Sequence, residues 1–168
     1  KNAIFQSLVL HAEQGRRAAF CVVVDTRGST PQVPGAAMLL HADGTTEGTL
    51  GGGCVEAEVR KQAFELLQRN SAGLLTFDLD RDYGWDDGLI CGGHMQVAVL
   101  PIRTSEEARP FAEAAAQLER GEAVCVPLQI EHEGRTLHYR LHIEAPAWLI
   151  LAGAGHVGTE VARLAVGL

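Results

Sequence analysis

The densest chemistry in this chain lies in Gly48-Thr-Leu-Gly-Gly-Gly-Cys-Val-Glu56. Gly51, Gly52 and Gly53 are costly in conformational entropy, and such runs occur where a backbone must approach something closely or adopt positive φ. A helical stretch from Val55 follows, and the first N–H groups of a helix attract anions. Cys54 stands at that N-terminus, where the positive end of the helix dipole favours a thiolate. Glu56 falls in the first turn, as a favourable charge at the dipole's positive end or as a proton-transfer group. The bland alternative is a tight strand-to-helix turn with an inert, buried cysteine.

Two further segments match the first in kind. Asp86-Asp-Gly-Leu-Ile-Cys-Gly-Gly-His94 sets Cys91 beside Gly92 and Gly93, ahead of an apolar strand. Arg27-Gly-Ser-Thr-Pro-Gln-Val-Pro-Gly35 is a polar loop that offers the Arg27 guanidinium and the Ser29 and Thr30 hydroxyls. Each loop alone reads as punctuation. Together, each next to a strand and two of them carrying thiols, they point to one shared site. Cys54 and Cys91 are then expected on opposite walls of one cleft, with the Arg27–Thr30 loop at its border.

Other polar residues carry weaker signals. Asp86 and Asp87 read as a solvated loop, although paired carboxylates stay open. Tyr83 and Trp85 either fold over a planar ligand or cluster beneath their own loop. His138 and His142 share a strand face near His132, but a metal there lacks a third ligand. Cys21 and Cys125 lie in apolar strand runs and are expected in the core. None of the four cysteines forms a CxxC pair, so a structural zinc site is not expected.

The elements that must position these residues alternate between helical and strand patterns. Apolar residues at 4, 5, 8, 9 and 12 predict an amphipathic opening helix over Ile4 to Gln14. Residues 18–24 read as a buried strand, and 36–41 with 45–50 as a hairpin about Ala42-Asp43-Gly44. A helix is predicted over 55–69, strands over 73–78 and 95–102, and a helix over 105–120 capped by Ser105. Residues 124–131 and 136–143 read as a hairpin turning at Glu133-Gly134. This is an α/β fold, with a mixed-sheet domain over residues 1–146.

Residues 147–168 read as the start of a Rossmann-like domain: a strand from Trp148 to Ala152, then Gly153-x-Gly155-x-x-Gly158 and a helix. One βα unit cannot bury its own faces, so this part is expected to be truncated. The acidic ribose-binding residue of such units would fall about 20 residues on, past the end of the sequence. A packing turn without a ligand is the competing reading.

Composition narrows the classes. The chain has 168 residues, 46% hydrophobic and 21% charged, which suits a globular protein with a real core. A net charge of −7 with no Lys/Arg cluster argues against nucleic acid. No apolar run nears the ~18 residues of a membrane span. Lys1-Asn-Ala-Ile-Phe lacks the apolar core of a signal peptide, and the scattered cysteines suit reduced thiols in the cytoplasm.

The three glycine segments together resemble the xanthine dehydrogenase accessory factor family, also called XdhC/CoxI. The resemblance rests on Gly28–Met38, Gly48–Glu56 and Cys91–Gly93 in that order, covers about residues 15–101, and extends weakly through Gly153–Gly158. It implies a chaperone, more an accessory protein than an enzyme, that binds the molybdenum cofactor, a molybdopterin, and inserts it into a xanthine dehydrogenase-type enzyme. A cysteine desulfurase is a further expected partner, and a homodimer is expected. In this picture the phosphate lies at the helix start after Gly51–Gly53, with Arg27 adding a charge-assisted contact. Cys54 or Cys91 approaches the molybdenum, Cys54 foremost, and Glu56 contacts the pterin. Two other classes stay open: a nicotinamide-dependent oxidoreductase with a reactive thiol at Cys54, and a structural component of a molybdenum hydroxylase assembly.

Overall fold

The computed structural model describes residues 2–79, 92–132, 134–145, 149–153 and 155–165. Cys91, Tyr83, Trp85, Asp86, Asp87, Glu133 and Trp148 lie outside the described residues. In chain order the elements are α1 (Asn2–Glu13), β1 (Ala18–Arg27), β2 (Ala37–His41), β3 (Thr46–Gly48), α2 (Gly53–Arg69), β4 (Gly73–Asp78), β5 (His94–Ile102), α3 (Ser105–Glu119), β6 (Val124–His132), β7 (Arg135–Ile143) and α4 (His156–Ala165).

Five strands form one sheet in the order β3-β2-β1-β5-β4, and β6 and β7 pair as a separate hairpin. The α/β class is as expected. The sequence reading anticipates a mixed sheet, whereas every described ladder is antiparallel. The β2–β3 hairpin explains part of this. Gly44 takes φ 86° in its turn, and the Asp43 carboxylate accepts from the Thr45 N–H and hydroxyl at 2.9 and 2.6 Å.

Strand β1 sits at the centre and is buried on both faces. Ala19, Cys21 and Val23 face α2, whose stripe Val55, Val59, Ala63 and Leu67 packs on them. Ala18, Phe20 and Val22 face α1, α3 and the β6–β7 hairpin. This two-sided covering is why β1 reads as a continuous apolar run rather than an alternating one. Phe20 anchors the second layer: its ring lies 5.8 Å from Phe5 and 4.9 Å from Phe111 between centroids, and Phe5 and Phe111 meet edge-on at 5.3 Å. These tilted contacts put ring edges on ring faces.

Two local readings change. The cap of α3 is Thr104, not Ser105. The Thr104 side chain accepts from the Glu107 N–H, and the Glu107 carboxylate accepts from the Thr104 N–H, a reciprocal capping box. Among the described residues 149–153 there is no strand where the sequence reading expects one. No neighbouring strand among the described residues offers a ladder there, and Leu149, Ile150 and Leu151 are exposed.

Replacing Phe111 by Ala is expected to cost about 3–5 kcal/mol, because a large ring leaves a cavity between two others. Urea unfolding of the variant measures it. A loss below about 1 kcal/mol would mean that the three rings do not form the anchor of this layer.

Candidate functional site

The turn between β3 and α2 is held by a side chain from its own helix. Glu56 Oε2 accepts from the Thr49 hydroxyl at 2.6 Å, the Leu50 N–H at 2.8 Å and the Gly52 N–H at 3.0 Å. Burial pushes the Glu56 pKa up, but Thr49, the Leu50 and Gly52 amides and the Arg60 charge outweigh it, so the net shift is below the ordinary value. Glu56 is therefore a clamp on the turn, in addition to a charge at the helix start. The amides it holds are not free for a ligand.

Backbone geometry explains the glycines. Gly51, Gly52 and Gly53 take φ of 107°, 71° and 64°. Gly52 caps α2 at ψ −167° and supplies no side-chain hydrogen bond, so the first N–H groups of α2 have no side-chain cap among the described residues. A Cβ at Gly52 or Gly53 would meet nothing within 4 Å. The positive φ still strains any L side chain at Gly52, so Gly52→Val would cost stability with or without a ligand. Cys54 follows, half-buried in the first turn of α2.

Close backbone contacts join the three glycine segments. A Cβ on Gly51 would lie 2.8 Å from Pro31 Cβ, in the loop that follows β1. In the same loop, a Cβ on Gly28 would lie 3.0 Å from the Gly92 carbonyl oxygen. Gly93 is buried, and a Cβ there would run into the Ser29 and Arg27 carbonyl oxygens. The Arg27–Gln32 loop thus lies between the Gly51 turn and the Gly92–Gly93 segment. Gly92 itself takes φ 58° and has open space around it. The structure brings these segments together; Cys91, and with it the distance between the two thiols, falls outside the described residues.

Side chains of the middle loop are less engaged than its backbone. Arg27 is exposed, with Nε 3.5 Å from the Asp25 carboxylate, a solvated pair of little energetic weight. Ser29 is exposed. Thr30 donates to the Gln32 carbonyl at 2.8 Å and so braces its own loop.

Other sequence candidates resolve separately. His94 Nδ1 meets Asp78 Oδ1 at 2.6 Å, across the β4–β5 pair that their register creates. Cys21 is fully buried, and burial pushes its thiol pKa up to about 12. Cys125 is not a core cysteine. Val124, Val126, Leu128 and Ile130 face inward along β6, and the strand's period of two turns Cys125 out to solvent. Its Sγ lies 3.8 Å from Nε2 of His142, its cross-strand partner. His138 and His142 share the exposed face of β7. Gly153 takes φ 119°, and a Cβ on Gly158, in the first turn of α4, would lie 3.0 Å from the Gly153 carbonyl oxygen. No helix among the described residues is long and apolar enough to cross a membrane.

The sequence reading misses a polar cluster at β3, where one ligand atom each from His11, His41 and Glu47 lies within 4.8 Å of the others. No spacing rule could flag it, because its members come from α1, β2 and β3.

Residues 11–78 match the profile of the XdhC and CoxI family. That span holds the Arg27–Thr30 loop, Gly51–Gly53, Cys54 and Glu56. A Bacillus subtilis protein named as a probable component of xanthine dehydrogenase is 30% identical over 148 residues, 87% of this chain and 41% of that one. The molybdenum cofactor insertion chaperone PaoD of Escherichia coli is 31% identical over 115 residues, 66% of this chain and 33% of that one. A crystal structure described as a xanthine dehydrogenase from Bacillus halodurans superposes with a TM-score of 0.62 at 25% identity, over 74% of this chain and 36% of that chain. The chain spans less than half the length of the curated relatives it matches.

Glu56 gives a pH-dependent expectation. A carboxylate whose folded pKa is lowered contributes stability that is full above its ordinary value of 4.5 and is lost as pH falls through the folded value. Glu56→Gln is expected to cost about 2 kcal/mol at neutral pH, from weakened hydrogen bonds to a charged acceptor. The gap to the parent should close at acid pH. Urea unfolding across pH measures it, and a gap that stays constant into acid would contradict the clamp.

Proposed function

We propose, from the premise that this chain belongs to the XdhC and CoxI family through residues 11–78, that it holds the molybdenum cofactor in the cleft edge where its three glycine segments meet. The recipient would be a xanthine dehydrogenase-type enzyme. The observation that carries this reading is the convergence of the Arg27–Gln32 loop, the Gly51–Cys54 turn and Gly92–Gly93, with open backbone at Gly52, Gly53 and Gly92.

The residues present suit such a ligand. An anionic phosphate fits the uncapped N–H groups at the start of α2, which Gly52 leaves without a side-chain partner. The Leu50 and Gly52 amides are excluded from that role because Glu56 holds them. Instead, Glu56 keeps the turn in the form that exposes the helix start. Arg27 and Ser29 stand exposed on the adjoining loop and can add donors. Open glycines admit a flat ring system close to the backbone, where any Cβ would fill the space.

Bound there, the cofactor would supply molybdenum and its sulfur ligands for a later enzyme. Cys54, half-buried and reduced, offers a soft sulfur donor suited to that metal. The protein's task is retention and shielding, and no proton donor or acceptor for turnover is needed beyond the structural Glu56. PaoD, similar to this chain over 115 residues, is named for insertion of the same cofactor. The nicotinamide-dependent reading draws on Gly153–Gly158 together with a reactive thiol at Cys54, and the assay below separates the two.

The test is to incubate the chain with molybdenum cofactor, isolate it by gel filtration and oxidise what co-elutes to the fluorescent pterin. Retention by the parent, and at least a tenfold loss in Cys54→Ala at an unchanged melting temperature, is the expected result. A tenfold change corresponds to about 1.4 kcal/mol. Equal retention by Cys54→Ala would make Cys54 a packing residue. Retention of a nicotinamide cofactor without pterin would favour the oxidoreductase.

A further inference from the structure

The geometry points to a second, unrelated site: a divalent transition-metal site of the zinc class formed by His11, His41 and Glu47. It does not depend on the cofactor reading, since it lies on other residues and has its own readout.

The three side chains come from three elements. His11 is on the last turn of α1, His41 ends β2 and Glu47 is the middle residue of β3. One ligand atom from each lies within 4.8 Å of the other two. Around a metal with ligands at about 2.1 Å, tetrahedral neighbours stand about 3.4 Å apart. His11 and Glu47, both part-exposed, would rotate to reach that spacing. His41 Nε2 donates to the Glu47 carboxylate at 2.8 Å from a side chain only 9% exposed, so a bound metal would take the place of that proton.

Several features prepare these groups as ligands. His11 Nδ1 lies 2.8 Å from the Ser7 carbonyl oxygen. A carbonyl only accepts, so Nδ1 carries the proton and the neutral ring presents an Nε2 lone pair, the tautomer that metal-binding histidines show. The Ser7 hydroxyl donates to Glu47 Oε1 at 2.7 Å, the same oxygen that His41 Nε2 meets. Both contacts fall on Oε1, so neither occupies Oε2. Ser7 and His41 together keep the Glu47 pKa below the ordinary carboxylate value, the Ser7 hydroxyl most strongly and against burial. The two imidazoles stack with centroids 4.2 Å apart, which keeps both rings at the cluster.

Nδ1 of His41 is buried and has no hydrogen-bond partner among the described residues, so the metal readout alone decides the role of this ring. Two imidazoles and one carboxylate with a solvent-facing side give three protein ligands and an open position for water, a coordination set that suits zinc. Such a metal would tie α1 to the β2–β3 hairpin just before the chain enters the Gly51 turn.

Cobalt(II) titration of the 168-residue chain, read by visible ligand-field absorption, tests this. A single equivalent should bind with the intense bands of a four- or five-coordinate ion, and zinc should displace it. His11→Ala and Glu47→Gln, both at part-exposed positions, should each weaken binding by about 100-fold while the circular dichroism stays unchanged. Cys125→Ser should bind as the parent does. No stoichiometric uptake by the parent would overturn the proposal. So would binding that survives both variants, or near-ultraviolet thiolate-to-cobalt absorption that disappears in Cys125→Ser, since the exposed Cys125–His142 pair would then be the metal's holder.

Discussion

The site in this chain depends on how one carboxylate divides the backbone amides of a glycine turn. Glu56 accepts the N–H groups of Leu50 and Gly52 and the hydroxyl of Thr49. A turn with consecutive positive φ angles has no ladder or helix to satisfy those donors, and leaving them buried and unpaired would be costly. The N–H groups at the start of α2, beside Cys54, are not among those that Glu56 holds. The clamp thus sets the shape of the turn. The remaining glycines serve close approach: Gly51 to Pro31, Gly28 to Gly92, and Gly93 to the carbonyls of Arg27 and Ser29. The sheet makes this possible, because β1 and β5 are neighbours and their register pairs Arg27 with His94.

Much of this is legible in the sequence, for identifiable reasons. The α2 stripe at 55, 59, 63 and 67 and the alternation along β6 are periodic signals, and periodicity survives the loss of context. The clustering of three Gly-rich loops is legible because each adjoins a strand. Where the sequence misleads, a local rule outranks the broader impression. Apolar neighbours suggest a core position for Cys125, although the period of two turns it outward. Thr104 and Glu107 spell a capping box that identifies the cap ahead of Ser105. The clamp by Glu56 is less accessible, because a carboxylate in a first turn fits the dipole argument equally well, and only coordinates show it reaching back to Leu50.

The His11–His41–Glu47 cluster is not legible at all. Its residues are separated by 30 and 6 positions, and what joins them is the packing of α1 across the β2–β3 hairpin. The sequence argument against zinc considers cysteines, whereas the ligand set here is imidazole and carboxylate. The two clusters adjoin along β3: Glu47 lies within the strand, and Thr49 and Leu50 follow it into the clamped turn. Order in this short strand is therefore common to both.

Hydrogen–deuterium exchange of the chain with and without molybdenum cofactor tests the central claim most directly, because it reads all three segments at once. The account predicts that protection rises together in the Arg27–Gln32 loop, the Gly51–Val55 turn and the peptides spanning Cys91–His94, and hardly at all along β6 and β7. Protection confined to the Gly51–Val55 turn, or appearing only in the Gly153–Thr159 region, would contradict a single cleft built from the three glycine segments.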